Sequence, residues 1–582
     1  MPVSSQAASA RDRMRTRGAP EPSAVVPRGV WNTKDVSDEH VADAAPLAQR
    51  GTEFRGRRVA MNSMTLLAGQ VLFTAIGFVT TPIVLTHIGL VEFGLWGLIM
   101  TAVGYITVVD PGFGDLITRY GARAHLEGNR ALGARLCSLA SLLWLGLGVL
   151  GLPLLLWAVP AWIPHLGLHH GLDHVAIEFF EWGYAYTVAG CVTAIMSSRL
   201  TAIGDQWLVT VIDGFTRLLY AVVLLSMLLT GSRLSALVVA SSVQLLVTFV
   251  VTLGFVWRRA GAPYGNPLRL HGAMVREATR FGGWLQLGGV LELLTYETDA
   301  FVISTFVSVR RNGTFTIAQK PAGMTTYFSG IAQTSALAAL SAAHAAREGL
   351  SSMRRMYTRA NRLSVLLGCL IGGLFLGTAP VFLAAWLGHY QGGIAVTDGA
   401  TCLAVAALML GLPRPAAAAV IMAMGKVGIG VRAQAAAFAI NLVLTIVLVA
   451  PLGMFGVMLA TVVAKGVATG YLLVRFHRLV DGTARELLFG WMGRLVLAVG
   501  VGAGVARLAL LGMPDAVVHQ RGPALVAFLV LGALYTTAFA AVIRATRYFG
   551  DDDLRWFEQI LPAPLARLAA SRVTRRLVGV PA

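Results

Sequence analysis

The chain has 582 residues, of which 56% are hydrophobic and only 13% charged, with 64 glycines. A soluble protein of this size carries roughly a quarter of its residues as charges, so a soluble globular class is excluded and lipid must cover much of the surface. The formal net charge of +18 does not point to nucleic acid as a partner, because the basic residues lie between long apolar runs and build no compact basic domain with a nucleic-acid motif.

Residues 1–57 mix Arg, Ser, Ala, Pro and Asp without periodicity and hold no apolar core of the kind a cleaved signal peptide needs, so a disordered cytoplasmic tail is expected there. Apolar runs then recur between short polar breaks, and with about 20 residues needed to cross the hydrocarbon they predict about fourteen transmembrane helices. The first two begin near Met64 and Phe93; Asp110-Pro111-Gly112 stops the second, and an amphipathic interfacial helix is expected behind it to about Glu127. Spans three to six begin near Leu136, Val175, Trp207 and Leu234. His165, His169, His170 and His174 lie in the loop after span three, where no acid or thiol completes a metal ligand set. Spans seven to twelve begin near Trp284, Asn312, Leu363, Thr401, Val431 and Val457, and spans thirteen and fourteen near Met492 and Pro523. The eighth is rich in Ala, Ser, Thr and Gly and carries Lys320, a composition suited to facing other helices or a water-filled cavity. Cys137, Cys191, Cys369 and Cys402 show no paired spacing and read as packing residues.

Lys and Arg favour the cytoplasmic side of short loops. With the N-terminus inside, about 38 of the 47 face the cytoplasm and about 5 face outward, Arg310 and Arg311 being the main outward exceptions. The even span number puts both termini inside, in the cytoplasmic (inner) membrane of the cell. Shifting the first two spans forward by 219 positions pairs Leu66 with Leu285, Gly69 with Gly288, Val71 with Val290, Leu72 with Leu291, Thr86 with Thr305 and Gly94 with Gly313, and moves span one onto span seven. The expected fold is therefore an all-α polytopic membrane protein with two pseudo-symmetric six-helix lobes around a central cavity. The lobes are residues 58–257 and 281–480; residues 258–280 form a cytoplasmic linker, and residues 481–582 hold spans thirteen and fourteen and a cytoplasmic C-terminal tail.

Gly69-Gln70, Thr81-Pro82-Ile83-Val84-Leu85, Phe93-Gly94-Leu95-Trp96, Asp110-Pro111-Gly112-Phe113-Gly114-Asp115 and Arg119 occur in an order that resembles the opening of bacterial polysaccharide flippases, the Wzx-like members of the MOP superfamily. The resemblance returns at Thr298-Asp299-Ala300-Phe301-Val302-Ile303, at Gly313-Thr314-Phe315-Thr316-Ile317-Ala318-Gln319-Lys320, at Asn441 and at Pro451-Leu452-Gly453-Met454-Phe455-Gly456. It implies a transporter, not an enzyme, that carries a saccharide on undecaprenyl pyrophosphate to the outer leaflet by alternating access. The lipid-linked oligosaccharide and membrane lipids would be its partners, with a polysaccharide polymerase and other assembly proteins nearby and no nucleic acid. No cofactor is implied, and coupling would be to an H+ or Na+ gradient or to membrane potential. The alternatives are a lipid II or multidrug exporter of the same superfamily and a membrane polymerase or ligase. No Walker loop for ATP is present.

A charge near the bilayer centre costs about 2.5 to 3.5 kcal/mol on insertion scales, so ionisable residues deep in spans face a cavity or one another. A pyrophosphate needs fixed positive charge, which Arg can present as a bidentate fork. The candidates are Arg217, Lys320, Arg414 and Lys465. Arg414 leads, because Pro413 and Pro415 on either side break the helix there. Arg217 lies one turn after Asp213 and either contacts substrate or is neutralised in a pair; Lys320 either contacts substrate or pairs with the acids of span seven; Lys465 either joins the site or snorkels to the cytoplasmic surface. Glu292, Glu297 and Asp299 load span seven with acid. Glu292 and Asp299, seven apart, share a face, while Glu297 points elsewhere. They are ion-coupling candidates or members of salt bridges to Lys320 and Arg414. Asn62, Gln70, Tyr105, Gln286 and Asn441 are candidates for cavity lining or interhelical hydrogen bonds, packing being the alternative.

Overall fold

The computed structural model describes residues 45–109, 113–126, 128–166, 168, 172–270, 287–295, 297–326, 350–388, 396–411, 427–479, 491–514, 517 and 520–549. By packing the chain divides at Met61; residues 62–582 form one compact unit, and of the unit 1–61 the described residues are helical. Residues 45–57, expected to be irregular, open helix α1 (Ala45–Ile88) instead. Ala, Leu, Gln and Arg, all good helix formers, let the first span extend backwards.

The first half continues with α2 (Leu90–Gly104), α3 (Phe113–Leu126), α4 (Arg130–Trp162), α5 (Leu172–Ala202), α6 (Gln206–Leu229) and α7 (Leu234–Ala260). The second half comprises α8 (287–295), α9 (Thr298–Val302) with a π turn Ile303–Val307, α10 (309–326), α11 (Leu350–Leu387), α12 (Val396–Gly411), α13 (Val427–Leu452) and α14 (Met454–Leu479). Two more follow, α15 (Gly493–Leu511) and α16 (Arg521–Ala545). Each expected span meets a described helix, and among the described residues 10 helical segments are long and apolar enough to cross a membrane. No strand occurs among the described residues.

The helices carry their large apolar side chains outward. On α4, Leu142, Val149, Leu150 and Trp157 are exposed while Gly133, Ala134, Cys137, Ser141 and Gly148 are buried. This inversion of the soluble pattern is what lipid as the outer solvent demands, with small residues drawing the helices together. The interfacial helix α3 shows the opposite arrangement: Phe113, Ile117, Gly121 and Ala124, spaced for one helical face, are buried against α4 and α5.

Helix ends sort into two sides. At one, which we call the Gly89 end, Arg233 pairs with Glu92 at 2.8 Å, Arg311 pairs with Asp398, and Arg521 donates to the Ala385 carbonyl at 3.2 Å. The pair with Asp398 supplies a partner for Arg311, one of the two basic residues that fall on the minority side in the charge count. At the other end Arg199, only 3% exposed, donates to the carbonyls of Pro263 and Ala260 at 3.0 Å and of Arg130 at 3.4 Å.

Toward the Gly89 end the two halves share one apolar core, in which Leu85, Phe93, Leu95 and Leu98 join Phe315, Ile317, Leu403 and Val457. Trp162 stacks on Phe301 with ring centroids 4.5 Å apart, and Trp386 Nε1 donates to the Phe78 carbonyl at 2.8 Å. The tightest approach sits where the internal repeat places it. A side chain on Gly94 would collide with the Val309 carbonyl oxygen, and one on Gly313 would lie 2.5 Å from the Leu90 carbonyl oxygen. Val309 and Gly313 are the residues that the 219-position shift pairs with Leu90 and Gly94, so α2 and α10 meet in a two-fold-like glycine seam. Asn312 Nδ2, donating to the Gly94 carbonyl at 2.9 Å, locks it. Helices α15 and α16 pack on α11, where buried Tyr535 donates to the Cys369 carbonyl at 3.1 Å and lies against Gly373 and Gly502.

Candidate functional site

A cavity of about 540 Å³ opens within the bundle, inside the range of roughly 300 to 1,000 Å³ typical of ligand pockets. Helix α1 contributes Gln70, Phe73, Thr74 and Gly77, the i, i+3, i+4, i+7 set of one face. The wall is completed by Trp96 of α2, Tyr186 of α5, Arg217 and Tyr220 of α6, Gln244 of α7 and Lys320 of α10. Among the described residues two cations enter this lining and no carboxylate does.

Arg217 does not pair with Asp213: among the described residues no ion pair joins them. Its guanidinium lies over the Phe73 ring, 4.4 Å from the centroid, and makes no hydrogen bond to a described residue. The aromatic face steadies the cation while its donor fork stays available. Lys320 does not pair with Glu297 or Asp299 among the described residues. Its Nζ donates to Thr81 Oγ1 at 3.0 Å and sits 4.8 Å from the Phe93 centroid, so a side chain of the second half reaches into the wall built by the first. Both contacts are to neutral groups, and among the described residues neither cation forms a salt bridge with an acid. Beside them Trp96 stacks on Trp182 at 5.6 Å, Trp182 packs on Tyr186 at 5.1 Å, and Trp182 Nε1 is fixed by Ser242 Oγ at 3.0 Å. This aromatic shelf is absent from the sequence-based list of candidates, although Trp182 and Tyr186, spaced i, i+4 with polar tips, carried a signal for it.

The other candidates divide. Lys465 is half-buried on α14 and is not part of this lining; Arg414 and Gln286 lie outside the described residues. Gln70 lines the cavity, and Tyr105 makes an interhelical hydrogen bond, its hydroxyl 2.9 Å from Thr298 Oγ1. Of the acids, Glu297 is exposed, Glu292 is half-buried, and Asp299 is 1% exposed. Thr461 Oγ1 lies 2.8 Å from both Asp299 carboxylate oxygens, so its one proton donates to either. Asn441 Nδ2 in turn donates to Thr461 Oγ1 at 2.7 Å. The hairpin of α13 and α14 sets this register: Gly453 takes a φ of 55, open to glycine at no steric cost, and Gly456 packs directly on the Leu448 carbonyl. Asp299 has no Lys or Arg within ion-pair distance among the described residues; it is a buried acid held by the Thr461 hydroxyl, which Asn441 supports from behind. No cluster of three His, Cys, Asp or Glu residues suited to a metal occurs among the described residues.

Residues 59–340 match the family described as Polysaccharide biosynthesis protein. Among solved structures, the chain is similar to "Lipid II flippase MurJ, inward closed conformation", at 13% identity and a TM-score of 0.60 over 83% of this chain and 99% of that one. It is also similar to the inward-facing conformation of a multidrug resistance MATE family transporter of the MOP superfamily, at 16% identity and a TM-score of 0.58 over 70% and 94%. The chain shares the fold of these two solved structures. An outward-facing MATE structure gives a TM-score of 0.50 at 17% identity, over 73% of this chain and 96% of that one. Comparison with curated protein sequences finds no match. The family match over residues 59–340 and the shared fold point the same way as the resemblance drawn from the ordered motifs, and the many long apolar helices make this a multi-pass membrane protein.

Proposed function

We propose that this MOP-fold protein carries an undecaprenyl-pyrophosphate-linked oligosaccharide from the cytoplasmic to the outer leaflet of the inner membrane by alternating access, for cell-surface polysaccharide biosynthesis. The observation that carries the reading is the pair Arg217 and Lys320, two intramembrane cations in one cavity of about 540 Å³ that form no salt bridge among the described residues. A charge held inside the membrane is costly, and a pyrophosphate repays that cost with charge-assisted hydrogen bonds. The aromatic shelf beside them suits the flat faces of sugar rings.

With both termini cytoplasmic, the glycine seam lies on the outer side and closes it, so the cavity is loaded from the cytoplasm. The buried Asp299, Thr461 and Asn441 form the coupling part, exchanging a proton or Na+ as the lobes rock, with Glu292 and Glu297 on the same span. The reading makes the chain a transporter and not an enzyme. Lipid II export is the second reading, favoured by the match to 99% of the lipid II flippase, which includes 83% of this chain. Purified protein in vesicles, given a fluorescent undecaprenyl pyrophosphate oligosaccharide in one leaflet, should move it to the other faster than protein-free vesicles do. Movement of lipid II with no movement of oligosaccharide lipids would select the second reading, and movement of neither would end both.

A further inference from the structure

The three helices α5, α6 and α7 that help wall the cationic cavity also enclose a second recess, of about 410 Å³, nearer the Arg199 end. The two spaces lie at successive levels of the same three helices. Helix α5 gives Tyr186 to the cationic cavity and Ser197, Ser198 and Thr201 to the recess; α6 gives Arg217 to the first and Asp213 to the second; α7 gives Gln244 and then Thr248. From one to the other the chemistry reverses. Among the described residues no Lys, Arg or aromatic side chain lines the recess, and their polar groups there are hydroxyls, the Gln206 amide and the carboxylate of Asp213.

Asp213 sits one turn before Arg217, yet its carboxylate makes no salt bridge with it and accepts no hydrogen bond among the described residues, only its backbone carbonyl accepting from Thr216 at 3.3 Å. The hydroxyls of Thr193 and Thr248 donate to carbonyls of their own helices at 2.9 and 2.7 Å, and that of Thr201 donates to the Gln206 side-chain oxygen at 2.5 Å or to the Ser197 carbonyl at 3.0 Å, which leaves the three hydroxyl oxygens as acceptors. The hydroxyls of Ser197 and Ser198 make no hydrogen bond to a described residue. Such a wall repels an anion, and one carboxylate among neutral hydroxyls is a poor cage for a metal cation, which wants several charged oxygens. What it matches is a neutral ligand rich in O–H donors. A carboxylate accepts from two neighbouring hydroxyls at once, and serine hydroxyls can give or take as required.

We infer that this recess is a saccharide subsite, in which Asp213, Ser197 and Ser198 hold hydroxyls of the sugar attached to the pyrophosphate; this rests on the reading of the neighbouring cavity as the pyrophosphate site. Four residues of helix separate Asp213 from Arg217, about 6 Å along the axis, so one glycosyl pyrophosphate can touch both. The division of labour explains why α6 carries opposite charges one turn apart without pairing them. Arg217 reads what every lipid-linked sugar of this class shares, and Asp213 reads what distinguishes it from the bare lipid.

The test compares binding of undecaprenyl pyrophosphate with binding of the same lipid carrying one hexose or one N-acetylhexosamine, measured on the full chain in nanodiscs by tryptophan fluorescence. The wild type should bind at least one sugar-bearing probe about tenfold more tightly than the bare pyrophosphate, the value of one or two good hydrogen bonds. Asp213→Asn, and separately the double change Ser197→Ala with Ser198→Ala, should erase that gain without weakening binding of the bare pyrophosphate, while Arg217→Ala weakens both probes. A wild type that binds sugar-bearing and bare lipid equally well, or an Asp213→Asn variant weakened for both probes alike, overturns the subsite and leaves the pyrophosphate site standing. A wild type that binds neither probe, or an Arg217→Ala variant unaltered for both, overturns the pyrophosphate site and the subsite with it.

Discussion

Replacing Gly94 with alanine tests the seam on the Gly89 side. The added methyl would collide with the Val309 carbonyl oxygen and lie within 2.8 Å of the Gly313 amide nitrogen, both backbone atoms of α10 that no rotamer change can move aside. Forcing a methyl into a filled contact costs about 1 to 3 kcal/mol, and the cost falls only on the state in which the seam is shut. If the open and shut states differ by a similar amount, the shift is about 5- to 150-fold in their ratio. Gly104→Ala is the control: on the same helix, with nothing within 4 Å of the new methyl, it should be neutral or stabilising by up to about 1 kcal/mol from helix propensity. Spin labels at the exposed residues Thr86 and Arg310, one in each half, report the separation of the halves at that end. Gly94→Ala should add a longer-distance population that Gly104→Ala lacks. Indistinguishable distance distributions for the two variants would refute the claim that the glycine seam holds that end closed.

Asp299→Asn removes the buried acid and keeps its shape, so transport should lose its dependence on the H+ or Na+ gradient while substrate affinity stays within about twofold; Thr461→Val should do the same more weakly, by about 1 kcal/mol for one lost hydrogen bond. Full ion dependence in the Asp299→Asn variant would take the coupling role away from this residue. Arg199→Ala strips the partner from three carbonyls at the Arg199 end, at about 1 to 3 kcal/mol for each buried acceptor left unpaired. It should lower the unfolding temperature by several degrees in a thermal melt, and an unchanged melt would show that water replaces the guanidinium at no cost.

Much of the architecture was legible in the chain itself, because hydrocarbon imposes length and composition on each span directly. The amphipathic pattern from Phe113 onward announced α3 for the same local reason. The glycine pairing at a shift of 219 also proved physical: Gly94 and Gly313 are small because each faces backbone of the other half. Partners were harder to read. Lys320 binds Thr81, which lies 239 positions away, and no spacing rule links two residues so distant in sequence. Asp213 and Arg217 illustrate the reverse, for their helical spacing suggested a pair and tertiary packing sends them to different cavities. The emphasis on Arg414 came from two flanking prolines, a local signal, and that segment lies outside the described residues. The aromatic shelf escaped notice because tryptophans are ordinary in membrane helices until packing brings Trp96, Trp182 and Tyr186 together.

The central claim is that Arg217 and Lys320 present uncompensated positive charge to a pyrophosphate inside the membrane. Binding of farnesyl pyrophosphate and of farnesol to the wild type and to the Arg217→Ala, Lys320→Ala double variant, at two salt concentrations, tests it most directly. The account predicts that the wild type prefers the pyrophosphate by at least about a hundredfold, two charge-assisted hydrogen bonds' worth, and that the double variant loses that preference while binding farnesol as before. Equal preference for the pyrophosphate in both proteins would contradict it.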